Sequence, residues 1–198
     1  MSNPKLFFST PIWVYKIEDY KNTNEEIYNY IKNMQSNDEI GILKSNVKGW
    51  HSKDFDLKAK EPQNFISIIQ PNIKNAIDDM NWDKNNQIIK ITNMWAIINK
   101  GGAANLRHHH GNSTLSAAYY VRAPQKSGDI VFYDPRPAPV YSHPKSLEPN
   151  YLNAMVNSIS PVEGSLVLFP SYLDHSVNEN ISNEERIVIS FNISLLLK

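Results

Sequence analysis

The stretch RIVISFNISLL, residues 186–196, decides the fold. Successive side chains in a β-strand point to opposite faces, so its alternation separates the residues into two sets. One set is apolar: Ile187, Ile189, Phe191, Ile193 and Leu195. The other set is more polar: Arg186, Val188, Ser190, Asn192 and Ser194. The pattern predicts a strand with one face in a hydrophobic core and a polar opposite face.

Similar short apolar runs fill the chain from about residue 87 onward. They are rich in β-branched and aromatic residues and are separated by Gly, Pro and Asn, which is typical of strands joined by turns. The predicted strands are 88–99, 115–122, 129–133, 155–160, 165–169 and 186–196. The Pro-rich segment 134–150 lacks any periodicity and is predicted to be a long loop.

Two helical patterns precede these strands. Thr23 and Glu26 have the spacing of a capping box, and a helical stripe follows in Ile27, Tyr28, Ile31 and Met34. A second stripe consists of Phe65, Ile69, Ile73, Ala76 and Met80, and Pro71 is expected to kink or split that helix. Two helices followed by many short strands predict a mainly β protein with flanking helices, either a helix-backed sandwich or a jelly roll.

The composition limits the class of protein. The 198 residues are expected to form a single domain, with a helical and supporting part at 1–86 and a β core at 87–198. Twenty basic side chains balance twenty acidic ones, so no nucleic-acid partner is expected. There is no cysteine, no apolar run long enough for a membrane span and no secretory signal, so we expect a soluble, cytoplasmic protein.

Half of the six histidines occur together in NLRHHH, residues 105–110. If this segment is extended, His108 and His110 project to one face and His109 to the other, and two imidazoles on one face can chelate a metal ion. His175 follows the strand-like SLVLFP, and Arg186 comes eleven residues later. Taken singly, these two have simpler interpretations, a hydrogen-bonded loop histidine and a rim charge paired with a neighbouring glutamate, Glu184 or Glu185.

The order of these residues resembles that of Fe(II)- and 2-oxoglutarate-dependent oxygenases, whose fold is a double-stranded β-helix, a cupin-like jelly roll. More narrowly, the chain resembles a group of small oxygenases with an N-x-x-H-x-H motif. The matching segments cover nearly the whole chain: FSTPIW (8–13), GWHS (49–52), Trp95 to Asn99, NLRHHH (105–110), LSAAYY (115–120), DPR (134–136), LFPSYLDH (168–175) and RIVISFN (186–192).

The resemblance implies Fe(II) and 2-oxoglutarate as cofactor and co-substrate. The implied metal ligands are His108, His110 and His175, with no catalytic residue beyond them. Arg186 would bind the far carboxylate of 2-oxoglutarate, because arginine offers a permanent charge in a planar, bidentate fork. Tyr120 and Ser190 are candidates to complete this anion site by strand parity. The implied reaction hydroxylates an unidentified substrate while 2-oxoglutarate is decarboxylated to succinate.

The chain departs from the family pattern at one ligand, because His110 stands where the family has Asp or Glu. In the first alternative His110 itself binds the metal, which leaves a net charge of +2 at the iron. In the second it only supports the ligands, and water or halide takes the open position. In the third a carboxylate from elsewhere, Asp134 or Asp174, completes the site. We favour the first.

Two rival functions follow from the same fold. One is a three-His cupin-type dioxygenase or isomerase that uses no 2-oxoglutarate, which would gain support if Arg186 pointed to solvent. The other is a non-catalytic jelly-roll binding protein, since fold alone does not settle function. Asn99 and Asn105 could orient ligands or hydrogen-bond at strand edges, and His51 could line the pocket mouth. A homodimer is a possible assembly.

Overall fold

The computed structural model describes residues 4–137 and 144–198. It has eleven strands and two helices in this part of the chain. The strands are β1 (Trp13–Lys16), β2 (Asn46–Val47), β3 (Trp50–His51), β4 (Gln87–Asn99), β5 (Ala104–His108), β6 (Leu115–Arg122), β7 (Ile130–Tyr133), β8 (Val156–Ile159), β9 (Ser165–Pro170), β10 (His175–Val177) and β11 (Arg186–Leu197). The helices are α1 (Tyr20–Asn37) and α2 (Lys60–Asp79).

The strands form two sheets. The major sheet has six strands in the order β1-β9-β6-β11-β4-β3, and the minor sheet has five in the order β2-β5-β10-β7-β8. All strand pairings in the described residues are antiparallel, as in a jelly roll. The predicted fold class, mainly β with flanking helices in a double-stranded β-helix, is confirmed.

The last strand has the two faces that its alternation predicts. β11 lies between β4 and β6 and pairs with both. Ile187, Ile189 and Phe191 belong to the large apolar core, which also contains the buried stripes of both helices. Burial of each such side chain contributes about 1.5–3 kcal/mol. Arg186 and Ser190 lie on the opposite face and line a cavity between the sheets.

Both helices differ from their predicted form at one point. α1 begins at Tyr20, so Thr23 lies inside the helix and the predicted capping box does not mark its start. α2 runs unbroken through Pro71, so the predicted split is wrong. Proline removes one hydrogen bond, to the carbonyl of Ser67 four residues earlier. Both residues are exposed, so water can bind that carbonyl instead.

The six predicted strands lie within one residue of their predicted bounds, whereas five further strands were not predicted. These are β1, β2, β3, β5 and β10, which have two to five residues each. Three of them, β1, β2 and β3, come from the N-terminal 86 residues and form sheet edges. In the predicted loop 134–150, the parts that the structure describes have no helix or strand. Residues 138–143, which include His143, lie outside the described residues. Neither helix is long and apolar enough to span a bilayer.

Candidate metal centre

Three histidines converge where β5 ends and β10 begins. His108 is the last residue of β5 and His175 the first of β10, and their Cα atoms are partners in the antiparallel pairing. His110 lies two residues beyond β5, where its backbone amide donates to the carbonyl of Ser171 at 2.9 Å. One ring nitrogen from each histidine lies within 4.8 Å of the others. The three side chains therefore form a potential metal site.

Hydrogen bonds select which nitrogen of two rings faces this centre. Nδ1 of His108 lies 2.7 Å from the carbonyl oxygen of Leu106, and Nδ1 of His175 lies 3.0 Å from that of Leu173. A carbonyl only accepts, so Nδ1 carries the proton in both rings. Nε2 is then unprotonated and available as a ligand, which is the usual arrangement of a metal-binding histidine.

The environment keeps all three rings neutral near pH 7. Burial, followed by the neighbouring His108, lowers the pKa of His175 to about 3. Burial, again with His108, lowers the pKa of His110 to about 4. The pKa of His108 is also lowered, mainly by burial. A metal ion binds only neutral imidazole, so no proton has to be displaced at neutral pH.

The carboxylates of the third alternative are engaged elsewhere. Asp174 accepts from Nε and Nη2 of Arg107 at 2.9 and 2.7 Å. It also lies 3.0 Å from Nδ1 of His109, which is not part of the three-histidine group. Asp134 is paired with Arg136 at 2.8 Å. Within the described residues, no carboxylate joins the histidine group. These contacts favour a site with imidazole ligands only.

Aromatic side chains pack around the ligands. Phe169 contacts His175 with 4.7 Å between ring centroids, and Trp95 contacts His110 at 5.6 Å. His51 stacks on Trp95 at 5.7 Å and lines the cavity, whereas Trp50 belongs to the large core. Side chains held in this way have little rotational freedom, which favours one fixed ligand geometry.

The histidines open into a cavity of about 800 Å³ that extends between the two sheets. Ligand-binding clefts in proteins have volumes of about 300–1,000 Å³. The remaining predicted residues, Arg186, Tyr120 and Ser190, also line this cavity. The structure thus brings together all six residues that the sequence singled out for the metal and the co-substrate.

Arg186 is a buried cation without a matching anion. Its side chain is only 2% exposed, Nη1 donates to the carbonyl of Gly128 at 2.9 Å, and Nε has no hydrogen-bond partner. In the part of the chain that the structure describes, no carboxylate pairs with it, and Glu185 pairs instead with Lys32 and Lys100. The rim-charge interpretation of Arg186 is therefore wrong. Burial lowers the pKa of this guanidinium, so its unpaired charge is costly and calls for an anion.

Tyr120 interacts electrostatically with this cation, and Ser190 lines the same cavity four residues further along β11. Tyr120 is 2% exposed, and burial raises the pKa of its phenol to about 12 although Arg186 acts in the opposite direction. It therefore stays protonated and can donate a hydrogen bond. Ser190 pairs with Ala118 on β6 and with Trp95 on β4, and it faces the cavity as strand parity predicted.

Sequence reasoning missed Ser45, whose hydroxyl lies 3.5 Å from Nε2 of His108. Ser45 stands in a loop of no evident periodicity, so nothing in the sequence marked it. Asn99 and Asn105 were singled out, and they are hydrogen-bonded to each other at 3.0 Å. Asn105 also donates to Ser45 at 3.3 Å, which links the pair to the metal centre.

Residues 93–192 match a family described as "Putative 2OG-Fe(II) oxygenase", where 2OG is 2-oxoglutarate, and the chain belongs to this family. It is a 2-oxoglutarate-dependent Fe(II) oxygenase whose cofactor and co-substrate are Fe(II) and 2-oxoglutarate. The neutral, at least partly buried imidazoles and the unpaired guanidinium fit these two groups. No curated protein matches the sequence.

Several solved structures share the fold. A Pseudomonas putida prolyl-4-hydroxylase has a TM-score of 0.65 at 12% identity, with 94% of this chain and 93% of that chain covered. The epimerase SnoN from nogalamycin biosynthesis, in complex with Fe³⁺ and α-ketoglutarate, has a TM-score of 0.68 at 11% identity, with 93% and 79% covered. HygX from Streptomyces hygroscopicus, with nickel and 2-oxoglutarate bound, has 0.65 at 10%, with 93% and 83% covered.

Proposed function

We propose that this oxygenase hydroxylates a substrate at a three-histidine iron centre. His108, His110 and His175 would hold the Fe(II), and Arg186 would bind the far carboxylate of 2-oxoglutarate with Tyr120 and Ser190 beside it. The overall reaction converts substrate, O₂ and 2-oxoglutarate to hydroxylated substrate, succinate and CO₂. Bound iron with its co-substrate supplies the O₂-dependent oxidation, and the chain supplies ligands, orientation and a cavity that limits access of water.

The observation that carries this proposal is the unpaired guanidinium of Arg186. A buried arginine with a free Nε, in the same cavity as three converging histidines, suits a small dianion anchored at both ends. The cupin-type rival without 2-oxoglutarate would leave this cation without a purpose. The inward position of Arg186 therefore favours 2-oxoglutarate as the co-substrate of this site.

The three-histidine ligand set is supported by the ring geometry. His110 is as close to the other two imidazoles as a shared metal requires, with centroid distances of 5.1 Å to His108 and 5.2 Å to His175. Three neutral ligands leave the metal's full charge uncompensated, so anionic oxygen ligands such as a keto acid should bind strongly. A homodimer and a cytoplasmic location stay predictions.

The decisive experiment is anaerobic reconstitution with Fe(II), followed by admission of O₂ and measurement of succinate formed from 2-oxoglutarate without added substrate. Slow uncoupled turnover that requires both Fe(II) and O₂ is the expected result. Absence of succinate, together with absence of 2-oxoglutarate binding, would contradict the proposal.

Metal binding is tested separately by calorimetry with Mn(II), which avoids oxidation. About one ion per chain is expected, and His108→Ala and His175→Ala should each weaken binding, since loss of even a supporting contact costs about 10–100-fold. His109→Ala is the matched control, because His109 lies between two ligands in sequence but contacts Asp174. Equal Mn(II) affinity in all four proteins would remove these histidines from the site.

A further inference from the structure

One hydroxyl group outside the assigned ligands faces the metal centre. Oγ of Ser45 lies 3.5 Å from Nε2 of His108. This is the nitrogen that is left for a metal, because Nδ1 of the same ring is bonded to the carbonyl of Leu106. Ser45 therefore borders the space in which further ligands of that metal would lie.

The backbone around Ser45 is fixed from both sides. Its carbonyl accepts from the amide of Leu106 at 2.8 Å, which joins the segment to β5. The side chain of Asn46 accepts from the amide of Lys44 at 2.8 Å and donates to the carbonyl of Gly49 at 2.7 Å. These bonds hold the loop that carries Ser45 against the strand that carries His108.

A chain of two amides orients the hydroxyl. Asn99 donates to Oδ1 of Asn105 at 3.0 Å, and Nδ2 of Asn105 donates to Oγ of Ser45 at 3.3 Å. Gly49 leaves room for this arrangement, since a Cβ there would lie 2.2 Å from Oδ1 of Asn99. Because the Ser45 oxygen accepts from Asn105, its own proton is left to bond another acceptor.

We propose that Ser45 is a ligand-orienting residue whose hydroxyl donates a hydrogen bond to an anionic oxygen bound to the metal. The inference rests on the proposed function. Three neutral imidazoles place no anionic protein oxygen on the metal, so an external oxygen ligand carries the negative charge that an Asp or Glu would supply. A donor beside that oxygen stabilises it and fixes its orientation.

Two sources offer the same chemistry, the keto-acid end of 2-oxoglutarate and a water-derived hydroxide. The Co(II) form distinguishes them, because its visible absorption responds to changes in the ligands and it binds 2-oxoglutarate without turnover. Spectra are recorded with Co(II) alone and then during a 2-oxoglutarate titration. In Ser45→Ala we expect near-normal Co(II) affinity, a shifted absorption and about tenfold weaker 2-oxoglutarate binding, the usual consequence of losing one hydrogen bond to a charged group.

Matched variants separate orientation from folding. Ser45→Thr keeps the hydroxyl and should retain the wild-type spectrum. Asn105→Ala leaves Ser45 in place but releases its oxygen, so it should shift the spectrum in the same direction as Ser45→Ala. Ser67→Ala is the control, since the Ser67 hydroxyl bonds only the carbonyl of Asn64 on α2.

The outcomes are distinct. A shift that appears only with 2-oxoglutarate identifies its keto-acid end as the acceptor, and a shift with Co(II) alone identifies a water-derived ligand, and both support the inference. Identical spectra and affinities in wild type and Ser45→Ala would overturn it, as would a Ser45→Thr variant that behaves like Ser45→Ala. If the wild-type protein binds neither Co(II) nor 2-oxoglutarate, the proposed function itself fails.

Discussion

The two faces of β11 differ in what they bury: one face packs apolar side chains, and the other holds a charged side chain without an anionic partner. On the core face, Phe191 is fully buried and contacts Phe65 with 6.3 Å between ring centroids. On the cavity face, Arg186 is almost as buried, yet it keeps a nitrogen without a partner. One face gains stability from apolar contacts, whereas the other holds a desolvated charge that destabilises the empty protein.

Residues that determine stability and residues that bind ligand therefore alternate along the same strand. Because neighbours on a strand point in opposite directions, a substitution on the core face should change unfolding and one on the cavity face should change ligand affinity. The strand backbone fixes the positions of the two sets of side chains relative to each other. The predictions below test how complete this separation is.

The largest effect is expected on the core face. Phe191→Ala leaves a cavity next to Phe65 and should lower the free energy of unfolding by about 3–5 kcal/mol. Urea denaturation followed by circular dichroism measures it. A loss below about 1 kcal/mol would show that the core face is not the tightly packed layer described above.

On the cavity face, Arg186→Met should weaken ligand binding without lowering the stability of the protein. Removing one partner of a buried charged contact costs on the order of 2–5 kcal/mol, so 2-oxoglutarate affinity should fall by one or more orders of magnitude. Unfolding in the absence of ligand should be unchanged or require more urea, because an unpaired charge is replaced by an apolar side chain. Normal 2-oxoglutarate affinity would revive the cupin-type alternative.

A smaller effect is expected at His110. Its replacement by Ala should weaken Mn(II) binding by about 10–100-fold, and His110→Asp should bind well because it restores an anionic oxygen ligand. Calorimetry of the two variants measures this difference. Near-normal metal affinity in His110→Ala, with an unchanged EPR signal, would show that His110 is not a metal ligand and would leave only His108 and His175 as protein ligands.

The last prediction concerns pH. In the folded state the pKa is about 4 for His110 and about 3 for His175, against 6.5 for an ordinary histidine. As the pH falls below 6.5, the unfolded chain takes up protons that the folded, metal-free chain refuses, so the free energy of unfolding decreases down to about pH 4. Urea midpoints at pH 7.5 and 5 measure this slope. His110→Ala should flatten this slope.

Much of this arrangement could be predicted from the sequence. Alternation over residues 186–196 predicted both faces of β11, and the spacing of His108 and His110 predicted their common direction. Such patterns are local, because side-chain direction follows from strand periodicity alone. The family resemblance then related them to His175 and Arg186.

Other features depend on long-range pairing and left no local pattern. Ser45 meets His108 across 63 positions of sequence, and it does so only because the two-residue strand β2 pairs with β5. His175 was expected in a loop but begins β10, whose three residues cannot show periodicity. The capping-box prediction failed at Thr23 because α1 extends to Tyr20 without any side-chain cap.

The shortness of β10 has a consequence for the molecule's motions. This three-residue strand is the central one of the minor sheet, between β5 and β7, so few backbone hydrogen bonds join the two halves of that sheet. A metal held by His108 and His175 would cross-link β5 and β10 at their paired ends. Hydrogen exchange at the amides of Ser176 and Val177 should therefore slow when the metal binds. The exchange rate of this strand would then report the fraction of protein molecules that hold the metal.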